Sequence, residues 1–171
     1  LPTYDVFDEA RYFEPGRGME VLEFRGTVIG LSICEDVWND KDFWRRRLYP
    51  IDPIEELVRK GAHILINISA SPYSMGKLSV RQEMLSEIAQ KYQRCLIYVN
   101  QVGGNDELLF DGASFAMSEE GRVIAQCRDF EEDLIVFETG VQAGPMHAVS
   151  QDEVSVFKAL VMGTRDYTKK C

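Results

Sequence analysis

Three short apolar runs alternate with helix-patterned stretches in the first hundred residues, and this alternation constrains the fold more than any other feature. The runs cover residues 27–33, 62–68 and 94–99. Continuous apolar runs of this length read as strands covered on both faces. Strands spaced by helices form βαβ units in a parallel or mixed sheet. Between the first two runs, Asp52 can cap a helix, Pro53 suits its first position, Glu55 completes a capping box and Gly61 ends it. Before the third run, a longer helix is expected from about Ser79, boxed by Gln82. Met84, Leu85, Ile88, Ala89 and Tyr92 form its apolar stripe.

Elsewhere the signals are mixed. Residues 1–18 hold Pro2, Pro15, Gly16 and Gly18 and read as an ordered loop. Residues 19–24 alternate apolar and charged, as a half-exposed strand does. Residues 39–50 are polar and suit a short helix. Residues 113–117 and 122–127 flank Ser118-Glu119-Glu120-Gly121 and predict a β-hairpin. A further strand is expected over 133–137 and a linker over 139–150. A final helix over 152–167 carries Val156, Phe157, Leu160 and Val161, a stripe expected to bury against something outside this chain.

A chain of 171 residues suffices for one domain with a sizeable core. Its net charge of -9 argues against nucleic acid or an anionic membrane as partner, because both select a basic surface. No apolar run approaches the roughly 20 residues of a membrane span, and no signal-peptide pattern opens the chain. The opening Leu1-Pro2-Thr3-Tyr4 reads as the interior of a longer protein. Cys34, Cys95, Cys127 and Cys171 are far apart with no C-x-x-C pair, which disfavours structural zinc. Reduced thiols in the cytoplasm are the expectation, with Cys95 and Cys127 as core filler.

Cys34 differs from those two. It closes the first apolar run, and Glu35-Asp36-Val37-Trp38 follows at once. A thiol at a strand-to-helix elbow is lifted out of the core beside backbone N–H groups that favour the thiolate. A buried core cysteine is the competing reading. The other runs also turn polar at their C-terminal ends, at Ser69 to Ser71 and at Asn100-Gln101. In a parallel sheet these ends share one edge, where open α/β sheets bind ligands. Glu35 and Asp36 disfavour a nearby thiolate, so a nucleophilic Cys34 needs a cation or base. The two histidines do not supply one: His63 opens a strand at the wrong end, and His147 lies in the linker. Asp36 reads as a helix cap behind the elbow.

Several ordered segments carry a resemblance. They are Leu1-Pro2-Thr3-Tyr4 through Tyr12-Phe13, Gly30-Leu31-Ser32-Ile33-Cys34-Glu35-Asp36-Val37-Trp38, Asn67-Ile68-Ser69-Ala70-Ser71-Pro72, Tyr98-Val99-Asn100-Gln101-Val102-Gly103-Gly104, Phe110-Asp111-Gly112 and Ser114-Phe115. Together they resemble the carbon–nitrogen hydrolase (nitrilase) superfamily, and more narrowly the glutamine-hydrolysing domain of glutamine-dependent NAD synthetases. The tail 159–167 resembles the entry to the synthetase domain of those enzymes. The resemblance implies an α/β fold, a four-layer α-β-β-α sandwich that is incomplete here. It implies hydrolase residues over 1–138, a linker over 139–150 and the first synthetase helix over 151–171. Cys34 would be the nucleophile toward the amide of L-glutamine, with the Glu35 backbone N–H helping to hold the oxyanion. The family's catalytic lysine falls just upstream of Leu1 and its glutamate further upstream, so the chain alone is expected to be inactive. Tyr4, Phe7, Glu9, Trp38, Ser71 and Lys77 would form the substrate pocket, Glu35 and Lys77 meeting the zwitterionic end of glutamine. No cofactor is expected on this chain, since ATP, magnesium and deamido-NAD belong to the absent synthetase domain. The expected partners are that domain and further copies in a homo-oligomer. A stand-alone amidase and a non-catalytic assembly fragment are the alternatives.

Overall fold

The computed structural model describes residues 8–39, 43, 51–140 and 143–171. Six strands form one sheet: β1 (Val21–Phe24), β2 (Thr27–Ile33), β3 (Ile64–Ser69), β4 (Cys95–Asn100), β7 (Phe115–Met117) and β8 (Val123–Gln126), in the order β1-β2-β3-β4-β7-β8. A separate hairpin joins β5 (Val102–Asn105) and β6 (Leu108–Asp111). The helices are α1 (Pro53–Arg59), α2 (Lys77–Tyr92) and α3 (Asp152–Lys170). β2, β3 and β4 run parallel, while β1, β7 and β8 pair antiparallel at the two sides. The parallel centre follows from the βαβ pattern, because α1 and α2 are the crossovers.

Asp52 accepts hydrogen bonds from the Ile54 and Glu55 N–H groups and caps α1, with Pro53 at its first position. The start of α2 departs from expectation. It begins at Lys77 behind Gly76, which has φ +79°, and Gln82 donates to Gln126 at 2.9 Å instead of boxing Ser79. The expected stripe is buried at Met84, Leu85, Ile88 and Ala89, where it packs with Leu57, Leu65, Leu96, Tyr98 and Phe115. Gly30 lets α1 lie close to the sheet, since a Cβ there would stand 3.0 Å from the Ala62 Cβ and 3.1 Å from the Leu57 Cβ.

Among the described residues, helices cover the central strands on one face only, contrary to the expectation of two buried faces. On the other face, Ile97 joins Ile135 and Phe137 over Ala116, Ile124 and Ala125. Leu31, Ile66 and Ile97 stand in one cross-strand row and Ile33, Ile68 and Val99 in the next. The second row is open, with Ile33 70% and Ile68 54% exposed. Apolar residues occupy both faces of these strands, but the described helices α1 and α2 cover just one. In the four-layer architecture, that amounts to one sheet and one helical layer.

Further differences follow from tertiary context. Residues 133–137 join no ladder. Ile135 and Phe137 pack on Ala116, Ile124 and Ala125, while Leu134 and Val136 face outward. The expected linker is tied to the sheet edge, where Gln126 N–H donates to Pro145 O at 2.9 Å and His147 N–H to Gln126 O at 3.0 Å. Cys127 lies just beyond β8 and is half-buried, so it is not core filler. The expected 39–50 helix falls largely outside the described residues, as do residues 1–7 of the loop expected over 1–18, whose described part holds a 3-10 turn (Glu9–Arg11). α3 docks by a different face from the stripe read in the sequence. Ser155, Ala159 and Met162 are buried beside Phe130, Tyr73, Val102 and Leu109, whereas Phe157, Leu160 and Val161 stay exposed. Polar anchors fix that choice: Tyr73 Oη to Ser155 Oγ at 2.7 Å, Lys158 to Asp129 at 2.8 Å and Gly104 N–H to Asp166 at 2.9 Å. No helix among the described residues is long and apolar enough to cross a membrane.

Candidate active site around Cys34

β2 ends at Ile33, and Cys34 opens a 3-10 turn running to Asn39. Cys34 has φ +46°, a left-handed conformation that a non-glycine residue adopts at a cost on the order of 1 kcal/mol or more. Surrounding bonds hold it there. Ile33 N–H donates to Asp36 Oδ2 at 2.8 Å, so Asp36 ties the strand end to the turn instead of capping a helix. Asn67 on β3 donates to Ser32 Oγ at 3.0 Å and to the Cys34 carbonyl at 3.3 Å, and receives a 2.6 Å hydrogen bond from Ser69. Asn67 is buried, so its polar atoms need these partners. The elbow inferred from the sequence is present and anchored from the neighbouring strand.

The thiol is half-buried. Burial pushes its pKa up from the ordinary thiol value, and the Glu35 charge adds to that rise. Hydrogen bonds from the Ala70 and Glu35 backbone and the charge of Lys77 act in the opposite direction. Lys77 is the first residue of α2, half-buried, with its Nζ 5.8 Å from the centre of the Trp38 ring. Its own pKa is lowered, first by burial and then by Arg81, against the pull of Asp111 and Cys34. Lys77 therefore places a positive charge within electrostatic reach of the Cys34 sulfur.

Ser71 is buried at the end of the loop after β3. Its N–H donates to Asn100 Oδ1 at 2.9 Å. Asn100 in turn donates to Asp111 Oδ1 at 3.2 Å, and Asp111 Oδ2 pairs with Arg81. Cys34, Glu35, Trp38, Ser71 and Lys77 thus gather at the C-terminal edge of β2–β4. Glu9 stands in a 3-10 turn (Glu9–Arg11), and among the described residues no hydrogen bond or ion pair joins its side chain to this cluster. Tyr4 and Phe7 lie outside the described residues. His63 is at the opposite end of the sheet, accepting from Val28 N–H at 3.3 Å, and His147 faces Asp133 at 3.6 Å. Asn67, Arg81 and Asp111 were not singled out as site residues from the sequence. The only signal for Arg81 was a charged residue in the apolar stripe of α2.

Cys34 is thus a cysteine in a left-handed conformation at a strand-to-turn elbow, with the Ala70 and Glu35 backbone hydrogen-bonding its sulfur and the Lys77 charge acting on it. The sequence model of the carbon–nitrogen hydrolase family matches residues 1–143, and the chain belongs to that family. It is 42% identical over 177 residues to a glutamine-dependent NAD(+) synthetase of Synechocystis, covering all of this chain and 32% of that protein. The counterpart from Acinetobacter baylyi is 35% identical over 99% of this chain and 30% of its own length. A solved glutamine-dependent NAD+ synthetase from Acinetobacter baumannii, in complex with adenosine diphosphate, superimposes with a TM-score of 0.82 at 35% identity, over 99% of this chain and 31% of that one. An amidase from Nesterenkonia shares the fold, with a TM-score of 0.59 at 20% identity over 74% of this chain and 45% of that one. The chain spans about a third of the length of the curated relatives it matches.

Proposed function

We propose that this chain is part of the glutaminase of a glutamine-dependent NAD synthetase. The Cys34 sulfur attacks the side-chain carboxamide carbon of L-glutamine, and the Glu35 backbone N–H helps hold the oxyanion that forms. As the tetrahedral intermediate collapses, the C–N bond breaks and the nitrogen takes a proton and leaves as ammonia. A γ-glutamyl thioester remains on Cys34. Water then attacks the thioester carbon, releasing glutamate and restoring the thiol. The family pattern puts a general-base glutamate and a lysine upstream of Leu1, and these would handle the protons.

Lys77 would meet the α-carboxylate of glutamine and Glu35 its ammonium, with Ser71 hydrogen-bonding beside them and Trp38 forming one wall. Tyr4, Phe7 and Glu9 would complete the pocket. The ammonia would pass to a synthetase domain that amidates deamido-NAD with ATP and magnesium, none of which binds this chain in our reading. α3 and the residues from 151 onward would begin that domain, and the enzyme would act as a homo-oligomer in the reducing cytoplasm.

The observation that carries the proposal is Cys34 itself, left-handed at the elbow and flanked by the Ala70 and Glu35 backbone and by Lys77. The test is substrate choice in the whole protein. Glutamine should give ammonia and a Cys34 acyl-enzyme, while simple aliphatic amides give neither at comparable concentration. Preference for aliphatic amides would replace this reading with that of an amidase.

A further inference from the structure

Arg81 and Asp111 form a buried ion pair that the proposed chemistry does not use. Such a pair is a poor investment for stability alone. The desolvation of two charges offsets their attraction, and well-packed apolar residues serve as well or better. Arg81 also sits in the apolar stripe of α2 with Met84, Leu85 and Ile88, where an aliphatic side chain would complete the core. Its guanidinium lies 5.8 Å from the Tyr98 ring centre. The pair is therefore better explained by what it holds.

We infer that Arg81 and Asp111 are positioning residues that fix Ser71, through Asn100, and the Lys77 ammonium, from the next turn of α2. The inference rests on the glutaminase reading given above. A carboxylate can only accept hydrogen bonds, so Asp111 obliges Asn100 to turn its NH2 toward it. The Asn100 carbonyl oxygen must then face Ser71, and it accepts the Ser71 N–H at 2.9 Å. Ser71 directly follows Ala70, whose backbone hydrogen-bonds the Cys34 sulfur. One polar chain thus runs from the core to the residue beside the nucleophile. Arg81 fixes the other end of that chain by pairing with Asp111.

Lys77 is coupled to the same pair through α2. Residues four apart on a helix are neighbours, and like charges there repel. Arg81 accordingly disfavours the charged form of Lys77, while Asp111 favours it. Removing the Asp111 charge would leave two cations adjacent and displace the ammonium from its place over Trp38. Both effects fall on substrate binding more than on the thiol.

The test uses the whole protein. Asp111→Asn keeps the shape but lets residue 111 present either an oxygen or an NH2, so the orientation of Asn100 is no longer dictated. We expect the KM for glutamine to rise about 10-fold or more with kcat changed less than about 3-fold. Labelling of Cys34 by a glutamine-shaped electrophile should slow about 10-fold or more, a larger drop than in alkylation by iodoacetamide, which reads the thiolate alone. Arg81→Lys, which keeps the charge, should keep KM within about 3-fold of the parent. If Asp111→Asn fails to fold, the double variant Arg81→Met with Asp111→Leu replaces the pair by apolar groups and should fold with a raised KM through the freed Asn100 alone, since no Arg81 cation then stands beside Lys77. An unchanged KM in a folded variant would overturn the inference and leave the glutaminase reading intact. Failure of the unmodified protein to take the glutamine-shaped label at Cys34 would overturn both.

Discussion

Cys34 and Cys95 stand at opposite ends of the same sheet, and they differ in what surrounds the sulfur. Cys95 opens β4 and lines a cleft of about 480 Å³ with His63, Glu119 and Arg122. Burial and the Glu119 charge push its pKa up to about 11, and no opposing interaction is resolved. Cys34 is also pushed up by burial and by a carboxylate, but two backbone groups and a lysine pull it back. Among the described residues nothing around Cys95 opposes the rise, whereas the donors at the Cys34 sulfur and the Lys77 charge offset part of it.

Several experiments can break or sharpen that comparison. The largest effect is expected from Cys34→Ala, which should abolish glutamine hydrolysis, while Cys95→Ala leaves it within about 2-fold. Selective alkylation tests the same point more finely. With a pKa of about 11, Cys95 is only about 0.1% thiolate at pH 8, so peptide mapping should find Cys34 modified before Cys95. The signs of the flanking charges give the next test. Lys77 favours the Cys34 thiolate, so Lys77→Met should move the midpoint of its alkylation–pH curve upward. Glu35 disfavours it, so Glu35→Gln should move that midpoint downward. Shifts of the opposite sign would mean that neither charge reaches the sulfur as described.

Asn67→Ala addresses the elbow itself. It leaves Ser32 Oγ and the Cys34 carbonyl short of a buried donor, and a loss of about 1–3 kcal/mol in urea-monitored stability is expected. The smallest effect concerns α3. Burial would raise the pKa of Asp129, but hydrogen bonds from Lys158 and Ser150 outweigh it and hold it below the ordinary aspartate value. Its contribution is thus present above the unfolded pKa and lost as pH falls through the folded one. Protection factors along α3 should therefore fall below about pH 4, and in Asp129→Asn they should be lower already at neutral pH.

The elbow was legible because three adjacent signals agree: an apolar run, a cysteine closing it and an abrupt return of charge. The α1 cap and the buried face of α2 were legible for similar local reasons. The β5–β6 hairpin was hidden because Gly103-Gly104 carries no strand signal; its ladder is held by backbone pairing and by α3. The apolar stripe of α3 stays exposed at Phe157, Leu160 and Val161, and the face that docks was not legible because small residues and polar anchors decide it. Gly163 shows the point, since a Cβ there would come within 2.9 Å of Leu109. Arg81 was unreadable for a deeper reason. Its partner lies thirty positions along the chain, and only the folded sheet brings Asp111 to it.

The most direct measurement is mass-spectrometric mapping of the whole protein after brief exposure to glutamine and acid quenching. A γ-glutamyl adduct confined to Cys34 and lost in Cys34→Ala is the predicted result. An adduct on Cys95 or Cys127, or ammonia released with Cys34 replaced, would contradict it.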